Sequence, residues 1–411
     1  MSRGLSAMQR SILQILDEKH GMTSTKTLKT AMHNDICDQS FYRSLNSLEK
    51  RGLIWWHREH GGPQSSSGLV CLKHGSVLLI DADSTIPNIA LMKLSAYHKA
   101  RGDTVDLHRG LKVPTKVDYD IVYISCIYTH HARAARRLAK LLSTSCEVHL
   151  GGSGVDLKTT LPDEIEHLMP DYVLYPECNY SIGYTMRGCI RSCDFCQVRG
   201  KEGYAHPVAD IYEFWDRRHK KLVLLDNNIL ALPDWFKKIA GQIKKENLRV
   251  DWNQGLDLRL VNEENAKILA GLHFSPYMRF AWDDIKSEPM IRRGIEILKA
   301  AGIKQAMFYV LCDFNSTFEE DLYRINTLKD LGMKAFVMLY NKELLKDKRY
   351  NSLMNFSNAR MHFYTQTFEE YCTGREDGTY KLKAQERKQR LEIKKNPPPV
   401  LHGIDISSIE F

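Results

Sequence analysis

The chain has 411 residues, of which 43% are hydrophobic and 26% are charged, and its formal net charge is +8. This length predicts two or three domains, and no run of about 18 apolar residues is present that would predict a membrane-spanning helix. The N-terminal residues lack the apolar core of a signal peptide, and ten cysteines in so long a chain do not indicate a disulfide scaffold. We therefore expect a cytoplasmic protein.

Residues 1–75 form the first predicted domain, with three helices followed by two short strands around a loop rich in glycine and serine. This order resembles a winged helix-turn-helix. The third helix would then present polar side chains to nucleic acid, namely Gln39, Ser40, Tyr42, Arg43 and Asn46. The segment carries ten Lys and Arg against six Asp and Glu, half of the net charge of the chain. Nucleic acid is the predicted partner, and a winged helix that docks another protein is the alternative.

Residues 76–177 form the second predicted domain. Strands are expected near 76–81, 104–108, 120–125, 146–152 and 171–175, with helices near 88–100 and 130–142. Apolar strands that alternate with helices predict a doubly wound parallel sheet. Ligands of such sheets bind at the carboxyl ends of the strands.

Residues 178–345 form the third predicted domain, an α/β segment of six strands with five helices between them. The first strand leads into Cys189, Cys193 and Cys196, which have the spacing C-x₃-C-x₂-C. Three thiolates on one loop can hold three irons of a 4Fe–4S cluster and leave the fourth iron without a protein ligand. A structural zinc site would need a fourth ligand, and three such close cysteines cannot all pair as disulfides.

This motif, with the aromatic Phe195 just before the third cysteine, resembles the signature of radical S-adenosylmethionine (radical SAM) enzymes. The resemblance covers about residues 76–345. It implies a partial (β/α)₆ barrel, a 4Fe–4S cluster and S-adenosylmethionine as cofactors, and a 5′-deoxyadenosyl radical that abstracts hydrogen from the substrate. It also implies a reductant such as flavodoxin or ferredoxin. The competing interpretation is three structural cysteines.

Polar residues after the barrel strands are the predicted cofactor-binding groups, because active groups of a parallel barrel lie at the carboxyl ends of its strands. In the family, the position of Asn227 and Asn228 contacts the methionine amino group, although the usual motif there is Gly-Gly-Glu-like. The alternative is that these asparagines cap the next helix. Further candidates are Asn253, Asp257, Arg259 and Asp283.

Arg259 and Cys312 receive more specific roles. The resemblance assigns Arg259 to the methionine carboxylate, whereas an ion pair between Asp257 and Arg259 is the competing interpretation. Cys312 is a candidate catalytic residue, since a thiol at the barrel mouth could donate a hydrogen atom to a substrate radical. The alternative is that Cys312 is a small apolar residue of the core.

Residues 76–177 also resemble the cobalamin-binding-type domain that precedes many radical SAM barrels, on motifs that include Gly151-Gly152 and Pro170-Asp171. The cobalt-ligating pattern D-x-H-x-x-G is absent, because Asp106-Leu107-His108 has the wrong spacing. Relatives often keep this domain only as structure. Cobalamin binding is therefore left open but disfavoured.

Residues 346–411 are predicted to be a C-terminal extension with a basic stretch at 381–390, either a solvated helix face or a second phosphate contact. The function predicted overall is radical SAM modification of a nucleic acid. Modification of a peptide or small molecule by the same chemistry is the first alternative, and an iron–sulfur redox sensor that binds DNA is the second. The sequence identifies neither the substrate atom nor the oligomeric state, and it predicts no membrane partner.

Overall fold

The computed structural model describes residues 5–19, 22–32, 37–51, 53–58, 68–72, 75–116 and 118–376. Contacts divide the chain into two compact units. The first unit comprises the chain up to residue 185 with residues 200–203 and 207–225, and the second comprises residues 186–199, 204–206 and the chain from 226 onward. The predicted loop tip at 61–67 and the basic stretch at 381–390 lie outside the described residues.

The first unit begins with three helices and three short strands. These are α1 (Ala7–Glu18), β1 (Met22–Ser24), α2 (Thr25–Ala31), α3 (Asp38–Lys50), β2 (Ile54–Arg58) and β3 (Gly68–Leu72). The strands pair antiparallel in the order β1-β3-β2. Ser6 and Ser24 begin α1 and α2, because their hydroxyls accept the N–H of the third helical residue. Apolar residues three and four apart on α1 and α3 form the core.

A four-stranded parallel sheet follows in the same unit. Its elements are β4 (Ser76–Asp81), α4 (Ile89–Ala100), β5 (Thr104–Arg109), β6 (Ile121–Ser125), α5 (Ala132–Leu142), β7 (Glu147–Gly151) and α6 (Asp163–Glu166). The strand order is β5-β4-β6-β7. Val77 and Leu79 pack with α4, whereas Leu78 and Ile80 pack with α5. The helices therefore cover both faces of this parallel sheet, as the sequence predicts.

The strand predicted at 171–175 is wrong, because residues Tyr172–Leu174 form a turn of 3₁₀ helix. The Asp171 carboxylate accepts the N–H of Val173 and closes the turn locally. The Tyr172 hydroxyl donates to the carbonyl of Phe214 at 2.6 Å, which fixes the buried ring outside any sheet. The apolar residues that predicted a strand, Tyr172 and Leu174, are thus buried in a turn.

The remaining elements are mostly strands followed by helices. They are β8 (Ser181–Gly183), β9 (Met186–Arg187), α7 (Val198–Glu202), β10 (His206–Pro207), β11 (Lys221–Leu224), α8 (Pro233–Lys245), β12 (Arg249–Trp252), α9 (Glu263–Ala270), β13 (His273–Phe274), β14 (Arg279–Ala281), α10 (Glu288–Ala300), β15 (Met307–Cys312), α11 (Phe318–Asp330), β16 (Lys334–Leu339), α12 (Lys348–Asn358), α13 (Arg360–Thr365) and α14 (Phe368–Glu376). The protein is therefore of the α/β class.

Parallel pairing is found in both units. In the first unit, β8 pairs with β11. In the second unit, β12 pairs with β13, and β14, β15 and β16 form a sheet in that order. Of the five helices predicted between the barrel strands, the first is only the short α7, because the cysteine loop occupies most of that connection. The polar residues after β11, β12, β14 and β15 consequently follow the carboxyl ends of strands.

A buried ion pair supports β15 from one side. Arg324 and Asp321 on α11 pair with both side chains fully buried. The Arg324 guanidinium also donates to the carbonyls of Trp282 and Leu311, and Asp321 accepts the N–H of Asp313. Because these backbone groups end β14 and β15, the pair fixes where both strands terminate.

Replacement of Arg324 by leucine is expected to lower the free energy of unfolding of the second unit by about 3–5 kcal/mol, because Asp321 would be left as a buried unpaired charge. Chemical denaturation followed by circular dichroism measures the change. The matched control is Lys237→Leu, which breaks an ion pair to Glu264 between two largely exposed side chains and should cost less than about 1 kcal/mol. Equal stability of the two variants would contradict this account.

Candidate functional site

The three cysteines of the motif lie on one loop that follows β9 in the second unit. Cys189 and Cys193 are partly buried and Cys196 is exposed, and all three are free thiols. The N–H of Cys196 donates to the carbonyl of Cys193 at 2.9 Å, and the N–H of Arg191 lies 3.3 Å from the Cys189 sulfur. The backbone therefore curls around the sulfur atoms and already directs an N–H donor at one of them.

The thiols influence one another electrostatically. Burial raises the pKa of Cys193, the charge of Arg259 opposes this rise, and the other two thiols add to it. The raised pKa keeps the Cys193 thiol protonated at neutral pH, so that metal binding there has to displace a proton. Nearby cationic side chains favour the thiolate form that an iron–sulfur cluster requires.

Among the described residues, no group of three or more His, Cys, Asp or Glu side chains converges closely enough to hold a single metal ion. The ligands of a 4Fe–4S cluster bind different irons and lie further apart than ligands of one zinc ion.

The entry to the cysteine loop is held by Asp226, which lies two residues after the end of β11 and is only 1% exposed. Its carboxylate accepts the N–H of Met186 and the indole N–H of Trp252, both at 3.1 Å. Since Met186 lies just before the loop and Trp252 ends β12, this one carboxylate fixes the start of the loop to the end of a strand.

The middle of the loop is held by Asp257. Its carboxylate accepts Nε of Arg191 at 3.0 Å and receives two hydrogen bonds from Arg259, at 2.7 and 3.1 Å. Burial favours the neutral acid, but the hydrogen bonds and charges of the two arginines outweigh burial and lower the pKa of Asp257. The stabilisation is therefore present above the ordinary pKa of an aspartate and is lost only as the pH falls through the lowered value.

The ion pair between Asp257 and Arg259, left open by the sequence, is thus present. It does not use every donor of Arg259, whose side chain remains 31% exposed. Arg199 adds a third support, because it donates to the carbonyl of Cys189 at 2.9 Å. The loop that bears the thiols is therefore held by Asp226, Asp257 and Arg199, all in its own unit.

Asn228 lies beside the loop. Its side-chain amide N–H₂ lies 3.7 Å from the sulfur of Cys189, and its buried amide oxygen has no hydrogen-bond partner among the described residues. Asn228 does not cap the following helical turn with its side chain, so the capping alternative is not observed for this residue. Asn227 is partly buried. An unpaired acceptor in a polar setting is unfavourable unless a ligand supplies the donor.

A polar network that the sequence did not reveal connects β12, β14 and β15. Arg279 donates to Asp251 at 3.0 Å, to the side chain of Asn253 at 2.9 Å and to the hydroxyl of Tyr309. Tyr309 in turn donates to the backbone carbonyl of Asn253 at 2.9 Å. Asn253, a predicted cofactor-binding residue, is therefore occupied by protein contacts. The sequence signal for this network is weak. Alternation in β14 and β15 places Arg279 and Tyr309 on one face of the sheet, but neither residue differs from an ordinary strand residue in the sequence.

Phe195 belongs to an aromatic group in the second unit. Its ring meets Phe314 edge to face at 5.3 Å, and Phe314 meets Tyr340 at 4.8 Å. The residues on either side of Phe314, Asp313 and Asn315, both have positive φ angles. Two non-glycine residues in this region indicate that the loop after β15 is shaped to present the Phe314 ring.

Cys312 ends β15, as the sequence predicted, but its side chain is buried. The thiol is fully buried at the end of β15, near Asp321 of α11, and burial together with that carboxylate raises its pKa. Tyr309 and Leu311 alternate with Cys312 along the strand, and Tyr309 belongs to the polar network. Cys312 therefore points to the helix-covered face, and the role as a hydrogen-atom donor at the barrel mouth is not supported. The alternative, a residue of the core, is what the contacts describe.

Asp283 follows β14 and accepts the N–H of Leu311 at 3.2 Å. Burial raises its pKa, and the charges of Arg324 and Arg259 oppose the rise. The same carboxylate acts electrostatically on Cys193. Asp283 is thus brought into the electrostatic surroundings of the cysteine loop, together with Asp257 and Arg259.

In the parallel sheet of the first unit, His108 is not placed as a cobalt ligand. Nε2 of His108 lies 2.9 Å from the carbonyl of Lys112, so that nitrogen carries a proton and is no cobalt ligand. At the carboxyl ends of β4 and β6, the Asp83 carboxylate accepts the N–H groups of Ile127 and Tyr128. A Cβ at Gly152 would lie 2.3 Å from the carbonyl oxygen of Cys126, so this glycine serves the packing of two loops.

Comparison with known proteins adds no assignment. No protein-family model matches the chain, and no curated protein matches it. Within the described residues, the structure contains no helix that is long and apolar enough to cross a membrane.

Replacement of Asp257 by asparagine is expected to raise the alkylation rates of the partly buried Cys189 and Cys193 in the metal-free protein roughly five- to tenfold. The change removes charge-assisted hydrogen bonds worth about 1–1.5 kcal/mol that hold the loop through Arg191. Timed reaction with iodoacetamide and peptide mass spectrometry measures each cysteine separately.

Asp216→Asn is the matched control, because Asp216 pairs with Arg218 two residues on, in the same way that Asp257 pairs with Arg259, but in the first unit. It should leave the three rates unchanged. Equal rates in native protein and Asp257→Asn would show that the carboxylate does not hold the loop.

Proposed function

We propose that this protein is a radical SAM enzyme whose 4Fe–4S cluster is held by Cys189, Cys193 and Cys196. The observation that carries the proposal is the C-x₃-C-x₂-C loop itself: three free thiols on a curled backbone, held by buried carboxylates and by cationic side chains.

In this proposal, the second unit contributes most of a partial (β/α)₆ barrel, and the cysteine loop occupies its first connection. Parallel pairing of β14, β15 and β16 and the alternation of strands with α8–α11 support that arrangement. The site lies after the carboxyl ends of the strands, as active sites of parallel barrels do.

The bound cluster would supply reductive cleavage of S-adenosylmethionine and hence a 5′-deoxyadenosyl radical. The protein residues hold and orient the reactants. Asn228 offers its unpaired amide oxygen to an amino group, and Arg259 offers its free N–H groups to a carboxylate. Asp257 keeps the Arg259 guanidinium in a fixed plane. No role is derived for cobalamin.

The proposed substrate class is nucleic acid, recognised in part by a winged helix-turn-helix within residues 1–75. Three helices with an antiparallel sheet support that fold. On α3, Gln39, Ser40 and Arg43 are exposed, while Phe41 and Leu45 are buried in the core. The helix therefore offers polar side chains to a groove. The electron donor would be a small reductant such as flavodoxin or ferredoxin.

Cys193→Ala is expected to abolish both iron binding and formation of 5′-deoxyadenosine after anaerobic reconstitution with iron and sulfide. The native protein should bind about four irons and release 5′-deoxyadenosine when S-adenosylmethionine and dithionite are added. The control Cys146→Ala removes another partly buried thiol, which donates to the carbonyl of Leu142, and should behave like the native protein. A native protein that binds zinc and forms no 5′-deoxyadenosine would refute the proposal.

Asn228→Ala is expected to weaken binding of S-adenosylmethionine roughly three- to tenfold with the iron content unchanged. The reason is the loss of one hydrogen bond worth about 0.5–1.5 kcal/mol. Equilibrium binding to the reconstituted protein measures the change, with Asn351→Ala as a control at a residue whose amide donates to Leu345. Unaltered affinity in Asn228→Ala would remove this residue from the site.

A further inference from the structure

Helix α5 of the first unit has a buried apolar face and an exposed cationic face. Ala132, Ala135, Leu138 and Leu142 are buried, and Leu138 and Leu142 pack on β4 and β6. The opposite face is exposed and consists of Arg133, Arg136, Arg137 and Lys140. We call these four residues the α5 stripe.

The spacing of the α5 stripe is i, i+3, i+4 and i+7. At 3.6 residues per turn, such positions fall within a sector of about 100° and extend over about 10 Å of helix. The four positive charges therefore form one continuous row on the surface of the first unit.

No carboxylate of the described residues neutralises this row. The helix sequence contains no Asp or Glu, and none of the four side chains makes an ion pair with a described residue. Arg136 donates to the carbonyl of Val155 at 2.9 Å and is partly committed to the protein. By contrast, Lys237 on α8 pairs with Glu264, and Arg292 on α10 pairs with Glu288. Like charges at i and i+4 repel each other and destabilise the helix, so the row lowers the stability of α5 in the free protein.

Aromatic rings precede the row. Tyr128 and His130, in the turn before α5, stack at 5.6 Å, and His130 contacts His131 at 4.1 Å. Tyr128 is 38% exposed. Cationic rows that neutralise phosphates beside aromatic faces that stack on bases are the two elements of single-strand nucleic-acid grooves.

We propose that the α5 stripe and the Tyr128–His130 stack bind a nucleic acid, with the cations on its phosphates and the rings on an unpaired base. This second contact would act beside the one proposed for residues 1–75, and it rests on the proposed function only for its link to catalysis. A membrane surface fits less well, because an interfacial helix needs a free apolar face, and that of α5 is buried against the sheet.

Two contacts on one unit imply a long nucleic-acid strand as the substrate. Two separate contacts on one unit bind a long strand more tightly than either contact alone, because the second contact forms at high effective concentration. Phosphate contacts carry no sequence information, so the α5 stripe would set affinity and position. Any selectivity would come from α3 and from the cluster-bearing unit.

The test compares the full-length native protein with Arg133→Gln/Arg137→Gln/Lys140→Gln, which leaves Arg136 on Val155. Fluorescence anisotropy with short labelled RNA and DNA strands of mixed sequence gives the affinity over a range of salt concentrations. Three lost phosphate contacts are expected to weaken binding and to reduce the slope of log affinity against log salt by about 2 on single strands. Arg133→Lys/Arg137→Lys should keep most of the slope, because the charges remain.

The matched control is Lys238→Gln/Lys244→Gln/Lys245→Gln on α8, which removes the same charge from exposed lysines of another amphipathic helix and should leave binding unchanged. A native slope in the α5 variant would overturn the inference, as would equal loss in both triple variants. Loss of binding to phosphatidylserine vesicles with unchanged RNA and DNA affinity would also overturn it.

Assay of 5′-deoxyadenosine on the same samples separates the two proposals. Reduced RNA affinity in a protein that never cleaves S-adenosylmethionine would leave the α5 stripe in place and refute the proposed chemistry. Normal cleavage of S-adenosylmethionine with native RNA affinity in the α5 variant would support the proposed chemistry and refute the role of the α5 stripe.

Discussion

A single buried carboxylate, Asp226, is the constraint on which the cysteine loop depends. It accepts hydrogen bonds from Met186 at the start of the loop and from Trp252 at the end of β12. With only 1% exposure, the group is costly to bury unless its oxygens are paired, so both donors are effectively fixed. Asp257, which follows β12, holds the middle of the loop in the same way by its hydrogen bond from Arg191. Two successive strand ends thus determine where the thiols lie.

Opposite faces of β15 have different tasks. Tyr309 belongs to the polar network with Arg279 and Asn253, whereas Cys312 lies under α11 near the buried pair of Arg324 and Asp321. The side facing α11 is stabilised by a buried ion pair near the ends of two strands, and the other side carries polar groups that hydrogen-bond to one another. Alternation along the six residues of β15 therefore separates the polar network from the buried ion pair.

Much of the fold follows from sequence because apolar periodicity and caps act locally. The strand β16 has the bounds expected, and α8, α10 and α11 end within one residue of expectation. The failure at 171–175 has a tertiary cause, since the Tyr172 hydroxyl bonds to Phe214, far away in sequence. In the site, motif spacing identified the cysteines. The roles of Arg279 and Phe314 could not be predicted, because they depend on contacts with residues that are distant in sequence.

The most direct test of the central claim is electron paramagnetic resonance of the anaerobically reconstituted protein after reduction with dithionite, with and without S-adenosylmethionine. We expect the signal of a reduced 4Fe–4S cluster whose g-values change when S-adenosylmethionine is added, because one iron has no protein ligand. A cluster signal that S-adenosylmethionine leaves unchanged, or a protein that takes up no iron, would contradict the central claim.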